Sequence, residues 1–526
     1  MSATANSTTP SYWFTQVGTP LLLLACLLVA LVARDVELDR RGFWFDEAYT
    51  WRMGQNTESQ IVDRLRFDNN PPLYYLVVRY WGVLADESPE ALRSLSVAAG
   101  LATVLGTFLF ARALLTGPLG GPSRVSAREV AWVPLLSAAF VAMNPLLVRY
   151  GCEARMYALG AALAVFSGWA LVRALDPEHP RWGRWLLFAA ITSVFAYVHT
   201  FALLTIAAEA AFVGWWLLER AGGGPQRVVR QPAFRSAMLA FLLVALAFAP
   251  WIPTLLDQLR NSGTREWIPQ LYGYRDLYPL AYKLFISPEG PQSEYGPVRV
   301  GIVAALFLVV AAWRGRWVEG VLLTLGLAPI LGAAVLSLLG TQVFLYRYFI
   351  FGQPFLLAII AVAIARLRSP ALFALAAVTA LSIHGYWCHD FWRQQALDKH
   401  PGYRGAADYI HKLGAPEQMV ICSDGRTFFP IRFHLKGRPN VFSVYPENGE
   451  VYGKAAVVNE REDFRPSEEL VRSARGNVWV VHQEWGGRVI DPVSVPPTWR
   501  EVSRTQFPEA FGMETVILIQ YSVTQK

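Results

Sequence analysis

The sequence contains about eleven apolar segments, each close to the roughly twenty residues that a helix needs to cross a lipid bilayer. They lie at residues 17–33, 93–112, 130–147, 157–174, 184–199, 201–218, 236–254, 298–313, 317–339, 348–366 and 370–387. Only 17% of the residues are charged, whereas a soluble protein carries roughly 25%. The pattern predicts a polytopic α-helical membrane protein.

The charges and cysteines exclude several functions. The net charge of +7 comes mostly from arginines between the apolar segments, which indicates membrane orientation and argues against nucleic acid as a partner. The four cysteines have neither metal-ligand nor disulfide spacing. The His, Asp and Glu residues show no convincing ligand spacing either. We therefore expect no metal site and no cofactor.

The arginines also predict the topology. Basic residues lie in the connections 112–128, 173–184, 220–235, 314–316 and 366–368, and the positive-inside rule places these connections in the cytoplasm. The first apolar segment lacks a basic leader region, so we expect an uncleaved first span. The N-terminus is then cytoplasmic, and the last 140 or so residues, about a quarter of the chain, are extracytoplasmic.

Two neighbouring segments complicate this topology. Residues 34–70 are rich in arginine yet must be external, which is tolerated because long loops obey the positive-inside rule poorly. Residues 71–84 are apolar but too short to span, so we expect an interfacial helix on the outer face. If this helix spanned the membrane instead, every later assignment would invert. The arginine distribution argues against that alternative.

Polar residues from several separate loops collect at the predicted outer ends of the spans, while the inner connections resemble short arginine-capped turns. The candidate catalytic residues are Asp46 and Glu47. The candidate donor phosphate-binding residues are Arg155, His199, Tyr346, Arg347 and Tyr348. The candidate substrate-binding residues are Tyr49, Asp68, Asn69, Asn70, Tyr74, Glu153, Tyr157 and Lys283, with Trp267, Tyr272, Tyr274 and Arg275 in the same predicted loop as Lys283. This asymmetry predicts an active site at the outer face.

Asp46 and Glu47 are adjacent acids just after the first predicted span. Carboxylates beside a bilayer are costly, so they indicate a functional site unless they are simply solvated loop acids. On a helix the two side chains diverge by about a quarter turn and cannot share one proton. One of them should face a pocket, and the other should be structural or face a cation. Periodicity does not decide which.

The rest of this loop predicts a rigid support. Residues 57–60, Thr-Glu-Ser-Gln, form a capping-box pattern, and Ile61, Val62 and Leu65 follow at helical spacing. Pro71 and Pro72 disfavour helix at Asn70 and allow a new helix to begin at the second proline.

Three other candidate groups have structural alternatives. Arg149 and Glu153 are spaced to pair at the tip of a charged helical hairpin, whereas Arg155 could reach an anionic headgroup. His199 could be a satisfied core histidine. The Tyr346–Arg347–Tyr348 run could belong to an interfacial aromatic belt, although an arginine between tyrosines also suits phosphate, because guanidinium forms fork-shaped charged hydrogen bonds.

One carboxylate together with several cationic and phenolic donors fits transfer from a lipid phosphate. The carboxylate would deprotonate an incoming hydroxyl group, and the donors would stabilise the charge on the departing phosphate. A lipid-linked donor also explains why such an enzyme is embedded in the membrane.

These residues resemble the GT-C glycosyltransferases, and within them the protein O-mannosyltransferase and aminoarabinose transferase group. The segments that carry the resemblance are 46–47, 71–75, 92–97, 153–159, 347–348 and 403–410. The resemblance covers nearly the whole chain but is weak beyond about residue 430. It implies an integral-membrane, inverting transferase that uses a polyprenyl-phosphate sugar, with Asp46 rather than Glu47 as the catalytic carboxylate. Bacterial relatives usually have histidine where this chain has Asn70, which cannot shuttle a proton.

The sequence divides near residue 392 into a membrane domain (1–392), which includes an external catalytic loop at 34–92, and a more polar domain (393–526). Strand-like runs at 419–422, 440–444, 478–481 and 515–519 alternate with helical stretches at 403–413 and 467–475, which predicts a small extracytoplasmic α/β domain. This domain lacks a phosphate-binding glycine motif. We expect it to recognise the acceptor or to cover the membrane site.

Two other functional classes remain open from the sequence. A transporter or flippase of a lipid-linked glycan would show paired broken helices and charges near the middle of the membrane, whereas here the charges collect at one face. A non-catalytic scaffold would need none of these residues. The preferred interpretation is a cell-membrane glycosyltransferase whose partners are membrane lipids, a polyprenyl-phosphate sugar donor and a lipid, glycan or protein acceptor.

Overall fold

The structure is a computed structural model, and it describes residues 17–35, 38–39, 41–120, 125–176, 181–222, 224–260, 268, 270–271, 277–286, 306, 309–310, 313–314, 317–394, 399–445, 463–490, 492–510 and 514–523. The chain forms two compact units. The membrane unit comprises Met1–Val36 and Leu95–His389, and the sheet unit comprises Glu37–Ser94 and Asp390–Lys526.

The regular secondary structure that is described in the membrane unit is entirely helical. Its helices are α1 (Thr19–Asp35), most of α5 (Pro89–Thr116), α6 (Ala127–Met143), α7 (Pro145–Tyr150), α8 (Tyr157–Ala174), α9 (Trp182–Ala196), α10 (Ala202–Arg220), α11 (Pro225–Val229), α12 (Pro232–Phe248), α13 (Ile252–Arg260), α14 (Leu277–Phe285), α15 (Trp317–Leu338), α16 (Gln353–Ala365) and α17 (Pro370–Gln394). A 3₁₀ helix, Tyr346–Phe351, precedes α16.

Among the described residues, 6 helices are long and apolar enough to cross a membrane. They are Pro89–Thr116, Tyr157–Ala174, Ala202–Arg220, Pro232–Arg260, Trp317–Leu338 and Pro370–Arg393. The predicted spans near 17–33, 130–147, 184–199 and 348–366 coincide with shorter helices. The predicted span at 298–313 lies almost entirely outside the described residues. The multi-pass architecture is therefore confirmed, and the total of about eleven spans remains a prediction.

Buried polar contacts tie the helices of the membrane unit together. At one helix end, Arg366 binds Glu129 of α6 at 2.7 Å and also pairs with Glu319 of α15. Within the helices, Ser167 of α8 donates to Glu209 of α10 at 2.6 Å. Charged and hydroxyl groups in such positions are stable only when they are paired, so these contacts fix the relative positions of the helices.

In the sheet unit, the segment between the first two long helices of the membrane unit folds into three short helices. They are α2 (Phe45–Gly54), α3 (Glu58–Arg64) and α4 (Leu73–Ala85). The predicted capping box is confirmed, because the Thr57 hydroxyl accepts from Gln60 N–H and the Gln60 side chain accepts from Thr57 N–H. Helix α4 begins directly after Pro72, as the two prolines predicted.

The C-terminal part of this unit is a mixed sheet covered by helices, which confirms the predicted sheet domain. The helices are α18 (Gly402–Leu413), α19 (Gly425–His434) and α20 (Ser467–Ser473), and the strands are β1 (Val420–Cys422), β2 (Val441–Val444), β3 (Phe464–Arg465), β4 (Gly476–Trp485), β5 (Arg488–Ile490), β6 (Trp499–Pro508) and β7 (Glu514–Val523). The strand order is β3-β2-β1-β4-β7-β6, and β5 pairs with β4. Strands β1 to β4 are parallel, whereas β7 is antiparallel to both β4 and β6.

Helix α19 joins the two segments of the sheet unit. Phe433 stacks on Phe43 with ring centroids 4.2 Å apart and meets Trp51 edge-on at 5.2 Å. Phe429 lies 6.2 Å from Phe45. By its contacts, the external segment 37–94 groups with the C-terminal residues, because these aromatic side chains bury one another and so remove apolar surface from water.

Candidate active site

The two adjacent acids lie in the first turn of α2, where their environments differ. Glu47 is fully buried and accepts two hydrogen bonds from Arg93, at 2.7 Å from Nε and 2.6 Å from Nη2. Arg41 lies 3.6 Å from the same carboxylate. Asp46 is half-buried. The structure therefore places Glu47 against a cation, while Asp46 faces a different direction on the same turn.

Arg93 also fixes the chain that leads into α2. Its guanidinium donates to the carbonyl groups of Leu38, Arg41 and Gly42 at 2.7 to 2.9 Å. The carbon of the guanidinium lies 4.9 Å from the Phe43 ring centroid. Because all of these groups converge on one buried side chain, the position of Asp46 depends strongly on Arg93.

A histidine of α19 fixes the same segment from the other side. Phe43 N–H donates to His434 Nε2 at 2.9 Å. Burial, together with the charges of Arg404 and Arg93, lowers the pKa of His434 to about 3. The ring therefore stays neutral and keeps Nε2 available as an acceptor.

Another buried acid of this loop, Asp68, is held by tyrosines. Its Oδ2 accepts from Tyr49 at 2.9 Å and from Tyr75 at 3.3 Å, and its Oδ1 accepts from Asn69 N–H. Tyr74 packs edge-on against Tyr75, with ring centroids 6.2 Å apart. Asn70, which directly precedes the two prolines, is buried as well. The structure thus brings α2 and α4 together around Asp68.

The membrane unit carries a separate group of cationic and aromatic residues, here called the cationic cluster. Its members are Arg149, Tyr150, Glu153, Arg155, Tyr157, His199, Lys283, Tyr346, Arg347 and Tyr348. The expected ion pair is present, because Arg149 Nε lies 3.3 Å from Glu153 Oε1. Both side chains are buried.

Aromatic rings assemble the rest of the cationic cluster. The guanidinium groups of Arg155 and Arg347 lie 5.9 Å and 5.8 Å from the Tyr157 ring centroid. His199 packs edge-on against Tyr348 at 4.9 Å, and its Nδ1 accepts from Phe201 N–H at 3.0 Å. His199 is therefore buried with a hydrogen-bond partner, and it also lies next to the 3₁₀ helix Tyr346–Phe351 that carries Arg347.

Lys283 of α14 completes the cationic cluster. Lys283 Nζ lies 4.3 Å from the Tyr346 ring centroid. Burial, with a further contribution from the positive charge of Arg149, lowers the pKa of Lys283 to about 8. Three arginines and one lysine face a single glutamate in this cluster, so the cluster is suited to an anion. The predicted neighbours Trp267, Tyr272, Tyr274 and Arg275 lie outside the described residues.

The described residues contain no group of three or more His, Cys, Asp or Glu side chains that could hold a metal ion.

Several residues that shape these clusters were not predicted from the sequence. Arg93 and His434 are far from Asp46 in sequence, and Tyr150 lies in a segment that we interpreted as a hairpin tip. Glu514, at the start of β7, lies within electrostatic reach of Asp46. Spacing along the chain carries no signal for such contacts, although the Leu92–Arg93 pair falls in a segment that the family resemblance singled out.

Comparison with known proteins identifies the fold. No protein-family model matches the sequence, and no curated protein is significantly similar to it. The crystal structure of ArnT from Cupriavidus metallidurans in the apo state aligns with a TM-score of 0.56 and 13% sequence identity, over 95% of this chain and 97% of that chain. The same protein bound to undecaprenyl phosphate aligns with a TM-score of 0.54 and 13% identity, again over 95% and 97%.

The chain therefore has the GT-C fold of membrane glycosyltransferases, as the sequence predicted. ArnT is a solved structure with this fold that the chain resembles along almost its whole length.

Proposed function

We propose that this protein is an inverting membrane glycosyltransferase that moves a sugar from a polyprenyl-phosphate donor to a hydroxyl group of a lipid, glycan or protein acceptor at the outer face of the cell membrane. The observation that carries the proposal is the contrast between the two adjacent acids. Glu47 is committed to Arg93 at 2.6 Å, while Asp46 is half-buried at the first turn of a rigidly held helix.

Asp46 serves as the general base. Its carboxylate takes the proton of the acceptor hydroxyl group as the acceptor oxygen forms a bond to the anomeric carbon. The bond between that carbon and the phosphate oxygen breaks on the opposite face, so the configuration inverts. The polyprenyl phosphate leaves with the electron pair. Glu47 and Arg93 hold Asp46 in place without contacting substrate.

The cationic cluster binds the donor phosphate. Arg155 and Arg347, both next to the Tyr157 ring, supply charged donors, and Tyr346, Tyr348 and His199 contribute to the same phosphate site. Such groups stabilise the negative charge that grows on the leaving phosphate. Support comes from the fold, since ArnT has been crystallised with undecaprenyl phosphate bound. Tyr49, Asp68, Asn69, Asn70, Tyr74, Glu153, Tyr157 and Lys283 are assigned to substrate binding.

The decisive test compares the two acids. Asp46→Asn keeps size and hydrogen bonding but removes basicity, so we expect transfer to fall by about a hundredfold to ten-thousandfold. Complementing a strain that lacks this chain, and profiling its glycolipids and glycoproteins, measures the effect. Asp63→Asn, an exposed acid of α3, is the matched control and should behave as wild type.

Glu47→Gln should reduce the amount of folded protein more than it reduces turnover per folded molecule. Near-normal turnover in Asp46→Asn, together with a loss of turnover in folded Glu47→Gln, would show that Glu47 is the general base and Asp46 the supporting acid. Normal turnover in both variants would exclude catalysis by this loop and favour a scaffold.

The proposed orientation has its own test. Ser59→Cys and Lys412→Cys place thiols at exposed positions of the sheet unit, and Arg227→Cys places one in the connection at 221–234. A membrane-impermeant thiol reagent added to intact cells should label the first two and miss the third, and the unsubstituted chain reports background from its own cysteines. Labelling of Arg227→Cys would show that the proposed topology is inverted.

A further inference from the structure

We propose that Glu514 and Gln483 form the acceptor subsite beside Asp46 and bind hydroxyl groups of a carbohydrate in the acceptor. The two residues lie where β4 ends and β7 begins. This inference rests on the proposed function and names the chemical class of the acceptor. Both residues and Asp46 belong to the sheet unit.

The topology brings these residues to a position that suits ligands. Strands β1, β2 and β3 follow one another outward, and the chain then returns to place β4 on the other side of β1. In open sheets with parallel strands, ligands bind outside the carboxyl ends of the strands at such a reversal. Gln483 lies near the carboxyl end of β4, and Glu514 opens β7 opposite Trp485.

Strand alternation puts both side chains on one face. Gln483 pairs with Val516, two residues from Glu514, so the two side chains share a face of the sheet with Trp479. Tyr409 of α18 packs on that face against Trp479, with ring centroids 6.0 Å apart. The opposite face carries the apolar core that includes Val478, Val480 and Ile519. The polar pair therefore lies toward the helices, not in the apolar core.

One polar atom of this pair lacks a partner. Gln483 is only 3% exposed, and its side chain lies near enough to the Glu514 carboxyl group to lower the pKa of that group. Gln483 Oε1 has no hydrogen-bond partner among the residues that the structure describes. A buried acceptor without a donor costs free energy, and a ligand hydroxyl group would satisfy it. The same hydroxyl-bearing ligand would be within reach of Glu514.

The charges around Glu514 link it to the proposed base. Burial raises the pKa of Glu514 to about 7, against the hydrogen bond from Gln483 and the charge of Arg426. The charges of Asp424 and Asp46 raise it further. A carboxyl group that is protonated part of the time near neutral pH suits a neutral hydroxyl ligand, which can both donate and accept. A cationic ligand would require full ionisation.

A neighbouring acid with a different role provides the control. Glu509 follows β6 and accepts hydrogen bonds from Tyr403 N–H at 3.3 Å and from Ala510 N–H at 3.0 Å. Its carboxylate is therefore used to fix the start of α18 and the end of β6. Glu509→Gln keeps the length of the side chain and one acceptor oxygen for these two N–H groups, and it should leave the subsite intact.

Saturation-transfer NMR on the full-length protein in lipid nanodiscs, without donor lipid, tests the inference. The probes are maltose, mannobiose and chitobiose. Wild-type protein should transfer saturation to at least one of them. Glu514→Gln and Gln483→Leu should weaken that binding by roughly three- to tenfold, while Glu509→Gln binds as wild type. Thermal unfolding of each variant confirms that it is folded.

Three results would overturn the inference. They are no saturation transfer to any of the three sugars, wild-type binding by both subsite variants, or a loss of binding in Glu509→Gln as large as that in the subsite variants. Displacement of the bound sugar by spermidine would indicate a cation site instead. Because no donor is present, these results are independent of the Asp46 test, so the acceptor class and the transferase function can fail separately.

Discussion

The carboxylates of the sheet unit and the cations of the membrane unit are held in different ways. One buried arginine, Arg93, binds Glu47 and three backbone carbonyl groups and thereby fixes the segment that carries Asp46. In the cationic cluster the side chains come from several elements. Arg155, Lys283 and His199 lie against the rings of Tyr157, Tyr346 and Tyr348, respectively.

The difference matches what each group is proposed to do. A general base must meet one proton within a few tenths of an ångström, so it needs a rigid support. A phosphate spreads its charge over several oxygens and can be bound by several cations at once. Single substitutions should therefore have all-or-none effects around Glu47 and graded effects in the cationic cluster.

The largest effect is expected from Arg93→Ala. It would remove both hydrogen bonds that the fully buried Glu47 carboxylate accepts from Arg93, and breaking a buried pair in this way costs about 3–5 kcal/mol. We expect the unfolding temperature of the purified protein to fall sharply. Arg472→Ala, which removes an ion pair exposed by more than 80% on both sides, is the control and should change little.

A double variant sharpens this comparison. Arg93→Met with Glu47→Leu removes both charges and keeps apolar volume, so it should recover much of the lost stability. If the double variant is as unstable as Arg93→Ala, the carbonyl contacts of Arg93 matter more than its ion pair.

The next effect is expected from Arg347→Ala in the cationic cluster. Loss of one charged donor should weaken binding of undecaprenyl phosphate by about ten- to a hundredfold, with little change in unfolding temperature. Arg155→Ala should behave similarly, and the exposed Arg227→Ala is the control. Titration of the lipid into nanodisc-embedded protein measures the affinities. An effect confined to the acceptor would show that these arginines serve the other substrate.

The parts of this architecture that depend on local pattern could be predicted. Hydropathy located the long helices, the Thr57–Gln60 capping box located α3, and short strand-like apolar runs located β1, β2, β4 and β7. Helix α19 was not predicted, because Pro430 lies inside it and proline normally ends a helix. Its Asp424–Thr427 capping box was the available signal.

The parts that depend on tertiary contacts could not be predicted. Nothing in the spacing shows that Glu47 would meet Arg93, 46 residues away, or that His434 would bind Phe43 N–H across 391 residues. The neighbourhood of Glu514 depends on the register of β4, β6 and β7, which is set only when the sheet assembles. Charge density could suggest a site, but it could not assign partners within it.

A moderate, pH-dependent effect is expected from Glu509 in the sheet unit. Burial raises its pKa to about 7, above the usual 4.5. The folded state therefore holds this proton more tightly than the unfolded state does. Its stabilising contribution is fully present below pH 4.5 and is lost as the pH rises through about 7, by about 2–3 kcal/mol between pH 5 and 8.

Glu509→Gln should flatten that decline, and unfolding temperatures measured across this range test it. The exposed Glu468→Gln of α20 is the control and should leave the slope unchanged. A wild-type unfolding temperature that rises from pH 5 to 8 would contradict the assignment.

The smallest effect concerns Lys283 of the cationic cluster, whose positive charge can be lost near neutral pH. Burial and Arg149 lower its pKa to about 8, so the lysine is charged below that pH and increasingly neutral above it. Binding of undecaprenyl phosphate, whose phosphate stays ionised across this range, should weaken by roughly three- to tenfold between pH 7 and 9. Lys283→Arg keeps its charge at pH 9 and should remove the dependence, whereas Lys283→Met should bind at pH 7 as wild type binds at pH 9. If Lys283→Arg retains the full pH dependence, another group titrates, and the graded character of the cationic cluster must have a different origin.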